Sequence, residues 1–426
     1  MTAPLYKASE TYASAEAMDA SDPLRAFRGR FHIPVTSSGS PAVYLTGNSL
    51  GLQPAKARKY VEEELDDWAR LGVEGHHAAR HAWLPYHEFL TDNMAAIVGA
   101  EPLETVVMNS LTVNLHLLMV SFYRPTPERY KIVIEKGAFP SDRYAVESQI
   151  KFHGFDPLGA LIELTPRDGE ATLHIDDIIE TIEHEGDSIA LIMLGGVNYY
   201  TGQAFDLRAI AAAGHRRGSV VGFDLAHAAG NIALDLHDWD VDFAVWCTYK
   251  YLNGGPGAVA GAFVHERHSR SFDLPRFAGW WGNDKGSRFL MAPEFRPMAG
   301  AEGWQISNPP ILQMAALRAS LEIFAEAGMD ALIAKSKALT GYLENLLDQL
   351  VDDRIEVITP RDPSARGCQL SIRVKHSGKA LFNAVSAAGV VADWREPDVI
   401  RVAPVPLYNS FADVERFAAI LKECLT

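Results

Sequence analysis

Cysteine is scarce: three residues in 426, Cys247, Cys368 and Cys424, widely separated and without a CxxC pair. That spacing excludes a disulfide framework and a zinc knuckle and fits a reducing compartment. Long apolar runs are missing, none nearing the roughly 18 residues that a membrane span needs. The N-terminal stretch has no basic segment leading into an apolar one, so it does not read as a signal peptide. A soluble, cytoplasmic protein is expected, with no membrane partner. Basic residues are in deficit, 39 Lys+Arg against 54 Asp+Glu, for a net charge of −15. Such a chain repels phosphate backbones, and no nucleic acid partner is expected. His76, His77 and His81 have no cysteine or carboxylate companions at ligand spacing, so no metal is expected.

What the chain does contain is ample material for a core, with 48% hydrophobic and 22% charged residues. The length suits two to three domains. An Ala/Ser-rich arm (1–45) precedes a large unit (46–310), with a helical piece expected around 22–31. Within the large unit, short apolar runs at 105–108, 132–135, 189–194, 220–224 and 243–247 alternate with helical patterns at 114–122, 141–153, 175–185 and 207–217. Such alternation predicts an α/β fold with a mostly parallel sheet covered by helices, and ligands beyond the carboxyl ends of its strands. Pro309-Pro310 then stops the chain, and a long amphipathic stretch broken at Gly328 leads into a smaller α+β unit (311–426). Its elements are expected at 356–358, 369–374, 379–388, 399–402 and 411–425.

The densest chemical signal is Phe223-Asp224-Leu225-Ala226-His227, followed one strand later by Tyr249-Lys250-Tyr251-Leu252-Asn253-Gly254-Gly255. A partly desolvated lysine can form a Schiff base with an aldehyde. Pyridoxal phosphate is the common aldehyde cofactor; it needs a lysine for its carbonyl and a carboxylate for its pyridine nitrogen. Asp224 and Lys250 meet both needs, although singly they also read as a helix cap and a loop lysine. Asn109-Ser110-Leu111-Thr112 follows a strand and opens a helix, which suits either an anion or an ordinary cap. Phe139, before Pro140-Ser141-Asp142, could stack on a planar ring. Arg401, in an otherwise apolar strand, wants a carboxylate: a substrate's, or that of a structural Asp or Glu. Cys368 reads more readily as a buried structural thiol than as a nucleophile.

Together these segments resemble the kynureninases, pyridoxal-phosphate enzymes of fold type I, the aspartate aminotransferase architecture. The likeness runs from about Tyr44 to the C-terminus through Thr46-Gly47-Asn48-Ser49-Leu50-Gly51, Ser110-Leu111-Thr112-Val113-Asn114, Phe139-Pro140-Ser141-Asp142, Tyr199-Tyr200-Thr201-Gly202-Gln203, the Asp224 and Lys250 segments, Gly279-Trp280, Ser307-Asn308-Pro309-Pro310 and the 401–411 segment. The resemblance implies that Lys250 carries the cofactor and that Asp224 holds the pyridine nitrogen. It implies Leu111 and Thr112 at the phosphate, Phe139 on the ring, Asp142 as a cofactor-site acid, and His227 and Tyr249 as further cofactor contacts. Tyr249 is also implied as a proton donor. Trp280 and Asn308 are implied to cross a homodimer interface, Arg401 to grip the substrate carboxylate, and His76, Ser49 and Asn308 to meet the substrate. Gly195 departs from members that carry Ser there. The implied reaction, part of tryptophan catabolism and NAD biosynthesis, is hydrolysis of L-kynurenine or 3-hydroxy-L-kynurenine to an anthranilate and L-alanine. The rivals are a cysteine desulfurase, an aminotransferase, and a non-catalytic binding protein on the same fold.

Overall fold

The computed structural model describes residues 12–426 apart from 351 and 377, so the first part of the expected arm lies outside the described residues. Among the described residues, seven strands form the main sheet: β1 (Thr105–Met108), β2 (Lys131–Glu135), β3 (Leu161–Leu164), β4 (Ile189–Gly195), β5 (Val220–Asp224), β6 (Phe243–Trp246) and β7 (Ala260–Val264). Their spatial order is β1-β7-β6-β5-β4-β2-β3. β2 to β6 pair in parallel, whereas β7 runs against both β1 and β6. The central strands are continuous buried apolar runs, the pattern of a sheet covered on both faces.

Sequence patterning predicts five of these seven strands and misses β3 and β7. The reason is plain in β7, whose Ala-Gly-Ala start carries little apolar signal. Those small residues are a packing device. Gly261 sits opposite Trp246 in register, and a β-carbon there would lie 2.2 Å from the indole. Gly222 meets the ring of Phe243 in the same way, at 2.2 Å. Phe243 stacks in turn on Phe122, and Phe122 on Trp304, at 5.0 and 6.2 Å. Burying each such side chain contributes about 1.5–3 kcal/mol.

Six helices matter to the site and its frame: α1 (Ala57–Leu71), α2 (Leu111–Phe122), α3 (Pro140–Phe152), α4 (Ile311–Ala327), α5 (Met329–Asp348) and α6 (Phe411–Leu425). The break between α4 and α5 falls at Gly328, whose φ of +74° favours glycine. α4 packs against α1 and the helix Glu88–Val98. Its Met314, Leu317, Leu321 and Phe324 share a core with Tyr86 and Leu252. The far half of α5 instead joins a second core, built on an antiparallel sheet of β8 (Ile355–Val357), β9 (Leu370–Val374), β10 (Asp393–Arg395) and β11 (Val399–Val402), in the order β8-β9-β11-β10. The three-residue β10 was not predicted.

The N-terminal residues return to this smaller sheet. Ala15, Val43 and Leu45 bury in its core, and Asp19 accepts the Phe411 and Ala412 N–H groups at the start of α6 (2.7 and 3.1 Å). The expected helix around 22–31 is a 3-10 turn at Arg25–Arg30, preceded by a short helix at Ala15–Ser21. Among the described residues, no helix is long and apolar enough to cross a membrane.

Gly261→Ala should therefore force Trp246 out of place and cost about 1–3 kcal/mol, the usual penalty of overpacking a dense core. Chemical denaturation of the variant against the parent checks this, and equal midpoints would show that the sheet accommodates the methyl group.

Candidate active site

β2, β4 and β5 are neighbours, and their carboxyl ends bring Glu135, Gly195 and Asp224 side by side. The turns after β5 and β6 add His227 and Lys250. α2 and α3 each begin at this same edge, bringing Leu111, Thr112, Ser141 and Asp142. These residues, with Phe139, Val197, Tyr199, Ala226 and Tyr249, line one cavity. Most of the residues singled out around the cofactor are thus in one place: Leu111, Thr112, Phe139, Asp142, Asp224, His227, Tyr249 and Lys250.

Lys250 is buried, and its Nζ donates to His227 Nε2 at 2.9 Å. The amine lies 5.7 Å from the centre of the Phe139 ring and 5.8 Å from that of Tyr249. Burial and then the adjacent Lys250 push His227 well below the ordinary imidazole range, so the ring is neutral. Its Nε2 accepts from the lysine, which leaves the buried Nδ1 as a donor without a partner among the described residues. The lysine loop is held from behind by the 46–51 segment. Gly51 N–H donates to the Tyr249 carbonyl at 2.8 Å, and a β-carbon on Gly51 would strike the Lys250 carbonyl at 2.3 Å.

Asp224 is buried and accepts the Ala226 N–H at 2.6 Å, so it ends a strand and caps the following turn together. Its carboxyl hydrogen-bonds that of Asp142. Burial, and then the facing Asp224 charge, hold Asp142 far above the usual carboxylate range, so Asp142 carries the shared proton. Burial raises Asp224 as well, an effect that Asp142 and Lys250 oppose. Burial also raises the Tyr249 hydroxyl, which keeps its proton.

The opposite end of the cavity offers donors. Ser110 begins α2 without a side-chain cap, so the first N–H groups of the helix face outward. The Thr112 and Ser141 hydroxyls lie 2.8 Å apart beside them. A free helix start with two hydroxyls suits a phosphate, a buried carboxyl suits a protonated ring nitrogen, and an aromatic face and an amine lie between. The buried Asp142 Oδ1 and His227 Nδ1, both without partners among the described residues, are groups that a bound heterocycle would satisfy. The residues therefore fit pyridoxal phosphate.

Other singled-out residues stand apart from this cavity. Arg401 is buried, and its guanidinium is already engaged: it pairs with Asp393 and donates to the Tyr199 carbonyl at 2.7 Å, leaving Nε buried without a partner. It lies within β11, opposite Asp393 of β10 in register. Trp280 and Asn308 find each other, the indole N–H donating to Asn308 Oδ1 at 3.0 Å, and both are exposed. Trp281, beside it, is buried under the Arg288 guanidinium, so the two adjacent tryptophans face apart. His76 packs edge-on against Trp83, and Ser49 N–H donates to the Thr46 carbonyl. Cys368 is buried, with its thiol pushed up to about 12 by burial, and its N–H bonds Asn231 at 2.9 Å.

Comparison with known proteins decides the family. A kynureninase from Koribacter versatilis is 63% identical over 417 residues, 98% of each chain. One from Myxococcus xanthus is 60% identical over 423 residues, 99% of each. The chain belongs to the kynureninase family. The family model described as the kynureninase C-terminal domain matches residues 332–421. Among solved structures, the cysteine desulfurase of Thermococcus onnurineus NA1 superposes with a TM-score of 0.75 at 16% identity, covering 98% of this chain and 99% of that one. The cystine C-S lyase C-DES, solved with glycine covalently linked to its PLP cofactor, gives 0.76 at 17% identity, covering 90% and 96%. At such identity these two share the fold, which is fold type I.

Glu135, Ser141, Tyr199 and Asp393 are site or site-flanking residues that sequence reasoning did not single out. Ser141 and Tyr199 lay inside quoted motifs; Glu135 is the last residue of a predicted strand, where a charged end draws no notice.

The raised carboxyls set a sign for stability. Asp142 binds its proton more tightly folded than unfolded, so its contribution is complete below the unfolded value of about 4 and is lost as pH rises towards the folded one. In the cofactor-free protein, Asp142→Asn should therefore be more stable than the parent at neutral pH, with the gap closing on acidification. Thermal melts of both proteins from pH 4 to 8 measure this; a gap that widens on acidification would contradict the assignment.

Proposed function

We propose that this chain hydrolyses L-kynurenine, or its 3-hydroxy form, to an anthranilate and L-alanine, with pyridoxal phosphate held on Lys250. The observation that carries the reading is 63% identity to a kynureninase over 98% of both chains. The cavity's own chemistry supports it independently. When bound, the cofactor supplies an aldehyde for an amine and an electron-withdrawing ring that stores charge while bonds to the amino acid's carbons break.

The roles proposed for the chain's residues follow from their positions. The α2 start at Leu111 and Thr112 holds the phosphate, and Phe139 covers one face of the ring. Asp224, backed by protonated Asp142, keeps the pyridine nitrogen protonated. Trp280, Asn308, His227 and Tyr249 complete the cofactor's surroundings. Lys250 Nζ removes and returns the proton at the substrate Cα as a general base, and neutral His227 leaves its lone pair uncontested by a second cation. Tyr249, which keeps its proton, is the donor in the later steps. Arg401 grips the substrate α-carboxylate in place of Asp393, a swap of one carboxylate for another that leaves the guanidinium paired throughout. His76, Ser49 and Asn308 meet the aromatic end of the substrate.

We propose a homodimer with shared sites, in which Trp280 and Asn308, both exposed and outside the cavity lining of their own chain, serve the partner's site. Exposed Phe277, Trp280, Phe289, Leu290 and Met291 support it, as an apolar group of this kind favours burial by a partner. A cytoplasmic location belongs to the same proposal.

A desulfurase reading needs a reactive thiol near the cofactor. Cys368, buried and strongly protonated, lacks that character.

The test is direct. Purified protein with pyridoxal phosphate should release fluorescent anthranilate from kynurenine and 3-hydroxyanthranilate from the hydroxylated substrate. Absence of both products, with cofactor bound, would end the kynureninase reading. Lys250→Ala should lose the visible absorption of the bound cofactor and about 10²–10⁴-fold or more of turnover. Cys368→Ala should retain turnover, and sulfide release from cysteine by the parent would restore the rival. Mixing Lys250→Ala with Asn308→Ala should recover activity that neither has alone if the sites are shared; no recovery in a mixed dimer would place each site within one chain.

A further inference from the structure

Glu135 has no part in the chemistry above, yet it is built into the same cavity. It ends β2 and is 4% exposed. Gly195 N–H donates to its Oε2 at 3.0 Å and Asn198 Nδ2 to its Oε1 at 3.4 Å. Among the described residues it has no salt bridge. A carboxyl buried without a cation is costly, and a strand end facing only packing needs would carry an apolar residue instead. Its fixed orientation and its neighbours argue against mere filling. Gly195 leaves it room, since a β-carbon there would lie 3.1 Å from Oε1.

The titratable groups around it are Asp142 from α3 and Asp224 from β5, with Lys250 and His227 in the turns beyond. Among the described residues, Lys250 is the one cation lining a cavity that holds three carboxyls. They cannot all be ionised together, because like charges in a buried site force one to keep a proton. Burial raises the Glu135 carboxyl, and the hydrogen bonds to its two oxygens oppose that rise; Asp142, with one bare buried oxygen, is held higher still.

We propose that Glu135 is a positioning residue for Asp142: fixed by Gly195 and Asn198 in the wall of the same cavity, its carboxylate obliges Asp142 to stay protonated as the donor to Asp224, and so leaves Asp224 as the carboxylate for the cofactor's ring nitrogen. The repulsion felt by Asp142 from Glu135 and Asp224 agrees with this order. The inference rests on the cofactor reading above.

The test follows the proton itself. In the cofactor-loaded protein, infrared difference spectra should show the carbonyl stretch of a protonated carboxyl, identified as Asp142 by its loss in Asp142→Asn. Glu135→Gln keeps the shape but removes the charge, and should move the pH midpoint of that band down by about one unit. The cofactor dissociation constant should rise in the same variant, and Glu135→Asp should restore the midpoint towards that of the parent. Gly195→Ser, whose hydroxyl can donate to Oε1, should move the midpoint in the same direction by less; it serves if the glutamine variant does not fold. An unchanged midpoint in both variants, with cofactor bound normally by the parent, overturns this inference alone. A parent that binds no pyridoxal phosphate overturns the cofactor reading and this inference with it.

Discussion

One cation buried among more carboxyls than it can neutralise is the constraint around which the large sheet is organised. Lys250, Asp224 and Glu135 are buried around one cavity, with Asp142 half-buried beside them. In such a medium an unpaired charge is expensive, so protons and hydrogen bonds must be distributed with care. The fold does this with backbone groups. Gly195 N–H serves Glu135, Ala226 N–H serves Asp224, and the lysine finds a neutral imidazole in place of a second anion. The apolar β strands beneath supply the stability that such a site withholds.

The parallel topology is what makes the convergence possible. Side chains at neighbouring strand ends are about 5 Å apart in the sheet, so β2, β4 and β5 deliver their last residues to one spot without long loops. Helices α2 and α3 start from that edge as well, with their donor ends turned towards it. The acidic and anion-accepting halves of the cavity thus come from one rule of chain direction.

How much of this was readable beforehand depended on whether the signal lay in one segment or in a meeting of several. Strand β5 and the small-domain strand at 399–402 were legible to the residue because each is a clean apolar run with a sharp end. β7 was not, because its small residues answer to Trp246 on the next strand rather than to their own periodicity. The Asp224 and Lys250 pair was legible because the chemistry demands both types. Glu135 was hidden, since nothing in its own segment reports that Gly195 and Asn198 will enclose it. Arg401 was read correctly as a residue in need of a carboxylate, but only the register of β10 against β11 shows that Asp393 supplies it. The bond between Trp280 and Asn308 joins distant segments and has no local mark.

Tyr199 belongs to two structures at once. Its ring meets Phe139 edge-on at 5.3 Å in the cavity wall, while its carbonyl receives Arg401 and Gln369 from the small sheet. The next residues are fastened to that sheet too, Tyr200 by Ser371 and Asp398, and Thr201 by Thr359. The loop therefore works as a rigid linkage. A rocking of the small sheet cannot slide past the large one without dragging the aromatic wall along, so the width of the cavity and the tilt of the smaller domain are a single mechanical coordinate.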